Sequence, residues 1–135
     1  MSKAYDRVEW GFLEAVMKRM GFDGRWISLI MMCVKIVRYS ILVNGTPCGL
    51  ITPSRGTRQG DPISPYLFLR CAEALSAMLT QANLDGRLQG VPTSRKGPIL
   101  SHIFFVDDSL LFCRANLCQW NHLTSILQMY EEASG

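Results

Sequence analysis

Two adjacent acidic residues, Asp107 and Asp108, interrupt an apolar run that reads IFFVDDSLLF over residues 103–112. Apolar flanks favour burial, and a buried carboxylate is costly unless something pairs with it. Two carboxylates this close repel each other, so one takes up a proton unless a cation lies nearby. Mg²⁺ prefers carboxylate oxygens, water and substrate phosphates, and two such ions about 4 Å apart hold the attacking and leaving oxygens of a phosphoryl transfer. The alternative is an ordinary surface turn, in which Asp is common.

A second segment, RGTRQGDPISPYLF over residues 55–68, combines glycines with cationic side chains. Gly56 and Gly60 allow a positive φ or a close approach of the backbone to a ligand. Arg55 and Arg58 suit phosphate groups, and the start of the helix that follows adds a favourable field for anions. The segment therefore predicts an anion-binding loop, and the alternative is an ordinary loop that leads into a capped helix.

Periodicity and turn signals predict the elements that must position these segments. Asn44-Gly45 after a β-rich run is typical of a tight hairpin. Ser64-Pro65 is typical of an N-cap followed by Pro at the first helical position. The predicted elements are helices over 12–20 (stopped by Gly21) and 25–36, strands over 39–43 and 47–52, a helix over 66–83, an extended piece over 88–91, strands over 99–105 and 109–112, and a last helix with a stripe of Trp120, Leu123, Leu127 and Tyr130.

This order of elements predicts an α+β fold in which an antiparallel sheet packs on helices. If strands flank the acid pair, Asp107 and Asp108 lie in the turn of a β-hairpin. The 135 residues fit one domain or part of one, and 48% apolar content against 19% charged content favours a packed core.

The composition also narrows the classes of protein. The net charge of +3 permits a nucleic-acid partner without requiring one. Five cysteines without a CxxC pair predict neither a zinc site nor a disulfide framework, and therefore a reducing compartment. The longest uncharged apolar stretch is too short to span a bilayer, and the N-terminus lacks the apolar centre of a secretion signal.

Three segments taken together and in this order resemble the palm of a reverse transcriptase, with plant non-LTR (LINE-type) retrotransposons as the nearest likeness. SKAYDRVEW, within residues 1–10, resembles the tail of motif A; RQGDPISPYLF, within 55–68, resembles motif B; and FVDDSLLF, within 103–112, resembles motif C. The resemblance covers residues 1–135 and implies a palm-like antiparallel sheet packed on helices, truncated, without complete fingers or a thumb.

The resemblance implies a role for each matching position. Asp107 and Asp108 match the metal-binding acids of motif C. Arg58, Gln59 and Gly60 match the motif B turn that contacts the template and the incoming nucleotide, and Tyr5, which alone reads as a core aromatic, matches the ring that packs under the sugar and excludes a 2′-hydroxyl.

The implied activity is RNA-directed DNA polymerisation with two Mg²⁺ ions. The implied partners are an RNA template, a DNA primer and a dNTP. No membrane is expected among them. The family also implies an intracellular site of action, in the nucleus or the cytoplasm.

Two departures from the family pattern support an alternative to polymerase activity. The motif A Asp stands five positions before the aromatic in the family, which falls just before Met1, and Val106 replaces the usual Ala. With two of three carboxylates the chain is expected to hold metal poorly. The alternative is an inactive retrotransposon remnant that at most binds nucleic acid weakly. A viral RNA-directed RNA polymerase is disfavoured by the RQGDPxSP text, and a nuclease by the lack of suitably spaced further acids or His.

Overall fold

The computed structural model describes residues 7–58, 60–105 and 108–135. Helices and antiparallel strand pairs alternate along them, so the predicted α+β class is confirmed. In chain order the elements are α1 (Trp10–Arg19), α2 (Gly24–Lys35), β1 (Tyr39–Val43), β2 (Thr46–Ile51), α3 (Ser64–Leu84), β3 (Val91–Pro92), β4 (Ile99–Leu100), β5 (His102–Phe105), β6 (Asp108–Leu111) and α4 (Leu117–Ser134).

The strands of the described residues form three separate two-stranded sheets, β1–β2, β3–β4 and β5–β6. The contacts divide the chain into two units. The N-terminal unit runs to Arg70 and includes Ser134 and Gly135, and the C-terminal unit is Cys71–Ala133. Helix α3 contributes residues to both units.

Two amphipathic helices supply much of the buried surface of the N-terminal unit. Asp23 caps α2, because its carboxylate accepts a hydrogen bond from the Arg25 backbone N–H at 2.9 Å. Gly21, at φ +82°, ends the turn after α1, as predicted, because only glycine adopts this conformation without strain. The buried apolar residues of the two helices are Leu13, Val16, Met17, Ile27, Met31 and Val34.

The β1–β2 hairpin has the tight turn that Asn44-Gly45 predicts. Val43 pairs with Thr46, which leaves a two-residue loop. Asn44 (φ 50°) and Gly45 (φ 83°) both have positive φ, as a type I′ turn requires. Every residue of both strands is exposed.

One apolar cluster forms the core of the C-terminal unit. Leu79 and Ala82 of α3 meet Leu88 of the following loop and Leu123 and Ile126 of α4. Leu88 is buried in this core and lies outside any strand, so the predicted extended piece at 88–91 overlaps the structure only at Val91. The observed strand is Val91–Pro92, which pairs with Ile99–Leu100.

The predicted stripe of the last helix faces the core at Leu123 and Leu127 but not at Trp120. Trp120 is 59% exposed, and Gln119 is buried in its place. The Gln119 side-chain oxygen accepts hydrogen bonds from the backbone N–H groups of Gln89 and Arg114, both at 3.0 Å. A buried amide satisfied in this way ties two loops to α4 at little cost, and hydrophobic periodicity cannot reveal it.

The predicted strand 99–105 is also divided. Ser101 lies between β4 and β5, and its carbonyl accepts a hydrogen bond from the Phe112 N–H at 2.8 Å. β4 pairs with β3 while β5 pairs with β6, so the two halves of the predicted strand serve different sheets. Among the helices of the described ranges, none has the length and apolar content that crossing a membrane requires.

Candidate active site

The β5–β6 hairpin carries Asp108 at its closed end. The ladder runs from His102–Leu111 to Phe105–Asp108, and two residues, 106 and 107, join the strands. Asp108 is therefore the first residue of β6 and not part of the turn, which corrects the prediction that both acids lie in the turn. Asp107 and Val106 lie outside the described residues.

The apolar flanks of the acid pair are only partly buried, contrary to expectation. Phe104 and Leu111 pack against the core of the C-terminal unit. Phe105 and Leu110 are 72% and 58% exposed, and Asp108 is exposed as well. Side chains alternate across a strand, so the hairpin rests on the core with one face and leaves the other open. An exposed carboxylate keeps its charge available to a cation.

His102 connects this hairpin to helix α3. Its Nε2 lies 2.7 Å from the Ser76 hydroxyl, and its Nδ1 lies 2.9 Å from the Ser101 hydroxyl. Its ring also contacts that of Phe104, with centroids 4.9 Å apart. Burial lowers the pKa of His102, so the neutral ring is favoured. The sequence alone did not single out this residue.

The RQGD segment forms a turn whose residue types follow from its hydrogen bonds. The Asp61 N–H donates to the Arg58 carbonyl at 3.2 Å, and Gly60, the third residue of the turn, has φ +84°. Glycine adopts this positive φ without strain, which explains the residue type at this position. Asp61 then accepts the Ile63 N–H on its own carboxylate at 3.0 Å. Gln59 lies outside the described residues.

Ser64 joins this turn to helix α3. It was predicted as the N-cap, but it is the first residue of the helix. Its hydroxyl donates to the Arg58 carbonyl at 2.7 Å, and its N–H donates to the Asp61 carbonyl at 3.1 Å. The Arg58 carbonyl thus accepts two hydrogen bonds and is fixed, while the Arg58 side chain remains exposed.

The same loop is tied at its other end to the segment before α1. The Gly56 N–H donates to the Val8 carbonyl at 2.8 Å, and the Gly56 carbonyl accepts the indole N–H of Trp10 at 2.7 Å. Arg55 lies 3.8 Å from the Glu9 carboxylate, in an exposed ion pair. Residues 55–58 line a cleft of about 270 Å³ together with the end of α2 and the β1–β2 hairpin.

The residues predicted to share one groove are described only in part. Tyr5 and Asp107 lie outside the described residues, while Gly60 and Asp108 belong to different units. The shared groove therefore stays a prediction. Among the residues that the structure describes, no three His, Cys, Asp or Glu side chains are grouped closely enough to hold a metal ion.

Comparison with known proteins decides the family. A family model described as reverse transcriptase (RNA-dependent DNA polymerase) matches residues 1–134. The chain belongs to the reverse transcriptase family. The family resemblance read from motifs A, B and C is thereby confirmed, and the β5–β6 hairpin and the RQGD turn are elements of a reverse transcriptase domain.

A relative from Arabidopsis thaliana, described as an uncharacterized mitochondrial protein, shares part of this reverse transcriptase sequence. It is 52% identical over 68 residues, which are 50% of this chain and 56% of the relative. The chain thus spans just over half the length of the curated relative that it matches.

Proposed function

We propose that this chain forms the palm of an RNA-directed DNA polymerase encoded by a plant non-LTR retrotransposon. The observation that carries the proposal is the register of the β5–β6 hairpin, in which Asp108 pairs with Phe105 at the closed end. This register places one acidic side chain, exposed, beside a two-residue connection that contains the second acid, Asp107.

The described part of the hairpin fits a magnesium ligand by its chemistry. Asp108 offers an exposed carboxylate, and Mg²⁺ is bound through one or two carboxylates together with water and substrate phosphates. Asp107 and Asp108 are the residues that we propose hold the metal. Bound Mg²⁺ neutralises the charge that develops on the phosphate oxygens.

The N-terminal unit fits the nucleic-acid partner by its charge. The sequence up to Arg70 carries ten basic and five acidic residues, a net charge of +5, whereas residues 71–135 carry four basic and six acidic residues, a net charge of −2. Arg58 presents an exposed guanidinium from a fixed backbone, and phosphate contacts of this kind supply most of the affinity for nucleic acids. We therefore assign template and nucleotide contacts to Arg58, Gln59 and Gly60, and the contact under the sugar to Tyr5.

The proposed reaction extends a DNA primer on an RNA template. The primer 3′-oxygen forms a bond to the α-phosphorus of a dNTP, and the bond from that phosphorus to the bridging oxygen of the β-phosphate breaks. Pyrophosphate leaves with the electron pair, and the proton of the 3′-hydroxyl passes to solvent. Positioning and charge stabilisation supply the catalysis in this class of reaction.

Primer extension tests the proposal. The chain is incubated with an RNA template, a labelled DNA primer, dNTPs and Mg²⁺, and product length is read on a gel. Metal-dependent extension supports the proposal if Asp107→Asn and Asp108→Asn each abolish it and if Asp85→Asn, an exposed acid directly after α3, leaves it unchanged. Extension that survives in both hairpin variants contradicts the proposal.

A second candidate is nucleic-acid binding without catalysis, as in a retrotransposon remnant. The excess positive charge of the N-terminal unit favours it, because that charge supports binding whether or not the carboxylates act. Fluorescence anisotropy with a labelled RNA–DNA hybrid separates the two candidates. Binding that weakens with salt, without any primer extension, supports the remnant.

A further inference from the structure

We propose that Trp10 is a positioning residue for the RQGD turn (Arg58 to Asp61), a role that rests on the proposed function. Its indole N–H donates to the Gly56 carbonyl at 2.7 Å across 46 positions of sequence. Gly56 lies two residues before Arg58, so this hydrogen bond fixes the loop segment that positions Arg58 for its ligand.

The loop is held at two points, one on each side of Arg58. On the far side, the Asp61 N–H and the Ser64 hydroxyl both donate to the Arg58 carbonyl. On the near side, both backbone polar groups of Gly56 are used, the N–H by Val8 and the carbonyl by Trp10. A cationic side chain on a backbone fixed in this way loses less conformational freedom when it binds a phosphate.

Trp10 is the part of the near-side anchor that a side-chain change can remove. The hydrogen bond from Gly56 to Val8 is between backbone groups. The Arg55–Glu9 pair spans 3.8 Å, with both side chains about half exposed, and such surface pairs contribute little. The Trp10 ring is half-buried, so its N–H competes less with water for the Gly56 carbonyl.

The anchor also connects two segments to which sequence reasoning assigned nucleotide contacts. Val8 and Trp10 follow Tyr5 by three and five positions, and Gly56 precedes Arg58 by two. A change at Trp10, in the segment that resembles motif A, therefore alters the order of the loop that carries Arg58. Trp10 itself is not assigned any contact with substrate.

Limited proteolysis with trypsin tests whether the anchor orders the loop, because trypsin cleaves after Arg55 and Arg58. Trp10→Phe removes the N–H donor and keeps an aromatic ring. Cleavage at these two sites is expected to become about fivefold faster, as the loss of one typical hydrogen bond increases local opening. Trp26→Phe is the matched control: Trp26 is in the same unit, is 64% exposed, and should leave the cleavage rate unchanged.

Hydrogen exchange in the unmodified chain gives a readout that needs no variant. The Gly56 amide should exchange at least tenfold more slowly than an unprotected amide, because it donates to Val8. An unprotected Gly56 amide, or equal trypsin rates for Trp10→Phe and the wild type, overturns the inference.

A double-mutant cycle separates positioning from a general structural role. Affinity for a labelled RNA–DNA hybrid is measured by anisotropy for Trp10→Phe, Arg58→Gln and the double variant. Trp10→Phe alone should weaken binding about fivefold, and in the Arg58→Gln background by less than twofold, because it acts through Arg58. In the background of Arg25→Gln, an exposed cation on α2, the fivefold effect should persist.

The outcomes distinguish this inference from the proposed function. If the wild type binds the hybrid but the Trp10 and Arg58 effects multiply independently, the positioning role is wrong and the proposed function stands. If the wild type does not bind the hybrid, the proposed function and the role in binding both fail. The trypsin comparison of Trp10→Phe with the wild type then still decides whether Trp10 orders the loop.

Discussion

Substituting Gly60 by Ala strains the turn between Arg58 and Asp61. Gly60 has φ +84°, and an added Cβ meets no atom of the described residues within 4 Å, so the cost is assigned to conformation and not to a steric clash. Holding an L-residue in this left-handed region costs about 1–2 kcal/mol. If the turn relaxes instead, it gives up the Asp61 hydrogen bond to the Arg58 carbonyl, which contributes about 1 kcal/mol.

Gly11→Ala is the matched control, because it makes the same chemical change where φ is not positive. Gly11 lies in α1, and a Cβ there likewise meets nothing within 4 Å in the part of the chain that the structure describes. Ala is favoured over Gly in a helix by about 0.5–1 kcal/mol, and somewhat less near the first turn. The two Gly→Ala changes are therefore expected to shift stability in opposite directions.

Urea unfolding followed by circular dichroism measures both shifts. With a slope of about 2 kcal/mol/M, Gly60→Ala should lower the midpoint by about 0.7 M and Gly11→Ala should raise it slightly. A Gly60→Ala midpoint equal to or above that of the wild type would refute the assignment of a strained turn. Anisotropy with the RNA–DNA hybrid, run on the same samples, should show weaker binding for Gly60→Ala alone.

Three further predictions concern the C-terminal unit and the thiols. Leu79 is fully buried, so Leu79→Ala should lower the free energy of unfolding in urea by about 3–5 kcal/mol. Leu84 on the same helix is 74% exposed, so Leu84→Ala should lower it by less than about 1 kcal/mol. Equal losses would contradict the assignment of Leu79 to the core. Burial raises the pKa of the Cys71 thiol to about 12, so iodoacetamide should modify the exposed Cys33, Cys48 and Cys118 well before Cys71. Peptide mass mapping measures the order of modification, and rapid labelling of Cys71 would contradict its burial. Burial lowers the pKa of folded His102, so its contribution to stability is present above the unfolded pKa of about 6.5 and is lost as pH falls. His102→Gln should therefore reduce the change in urea midpoint between about pH 7.5 and 5.5, whereas His122→Gln should not. A pH dependence as steep as that of the wild type in His102→Gln would exclude this cause.

Two local sequence signals predicted backbone conformation correctly. Asn44-Gly45 specified the hairpin turn because both residues tolerate positive φ, and Gly60 was singled out for the same property. The strands around the acid pair were also predicted, with two errors: residues 99–105 form two strands that serve different sheets, and Asp108 lies in β6. Asp108 begins a strand because a two-residue connection suffices to close the hairpin, which moves one acid from the turn to the ladder.

Long-range contacts were beyond the reach of sequence patterns. The Trp10–Gly56 hydrogen bond joins residues 46 positions apart, and nothing near either residue indicates the other. Gln119 was missed because a buried amide on a helix looks like a surface residue until its backbone partners are known. His102 was missed for a related reason, since its partner Ser76 lies 26 positions away on α3.

The central claim is that the Asp107–Asp108 hairpin binds the divalent cation of a polymerase. Paramagnetic broadening by Mn²⁺, which shares the oxygen-ligand preference of Mg²⁺, tests it most directly in ¹H–¹⁵N spectra of the chain. Broadening should centre on the amides of Phe105 and Asp108, be reversed by excess Mg²⁺, and disappear in Asp107→Asn and Asp108→Asn. Broadening that centres on Glu131 and Glu132 of α4, or that persists in both hairpin variants, contradicts the claim.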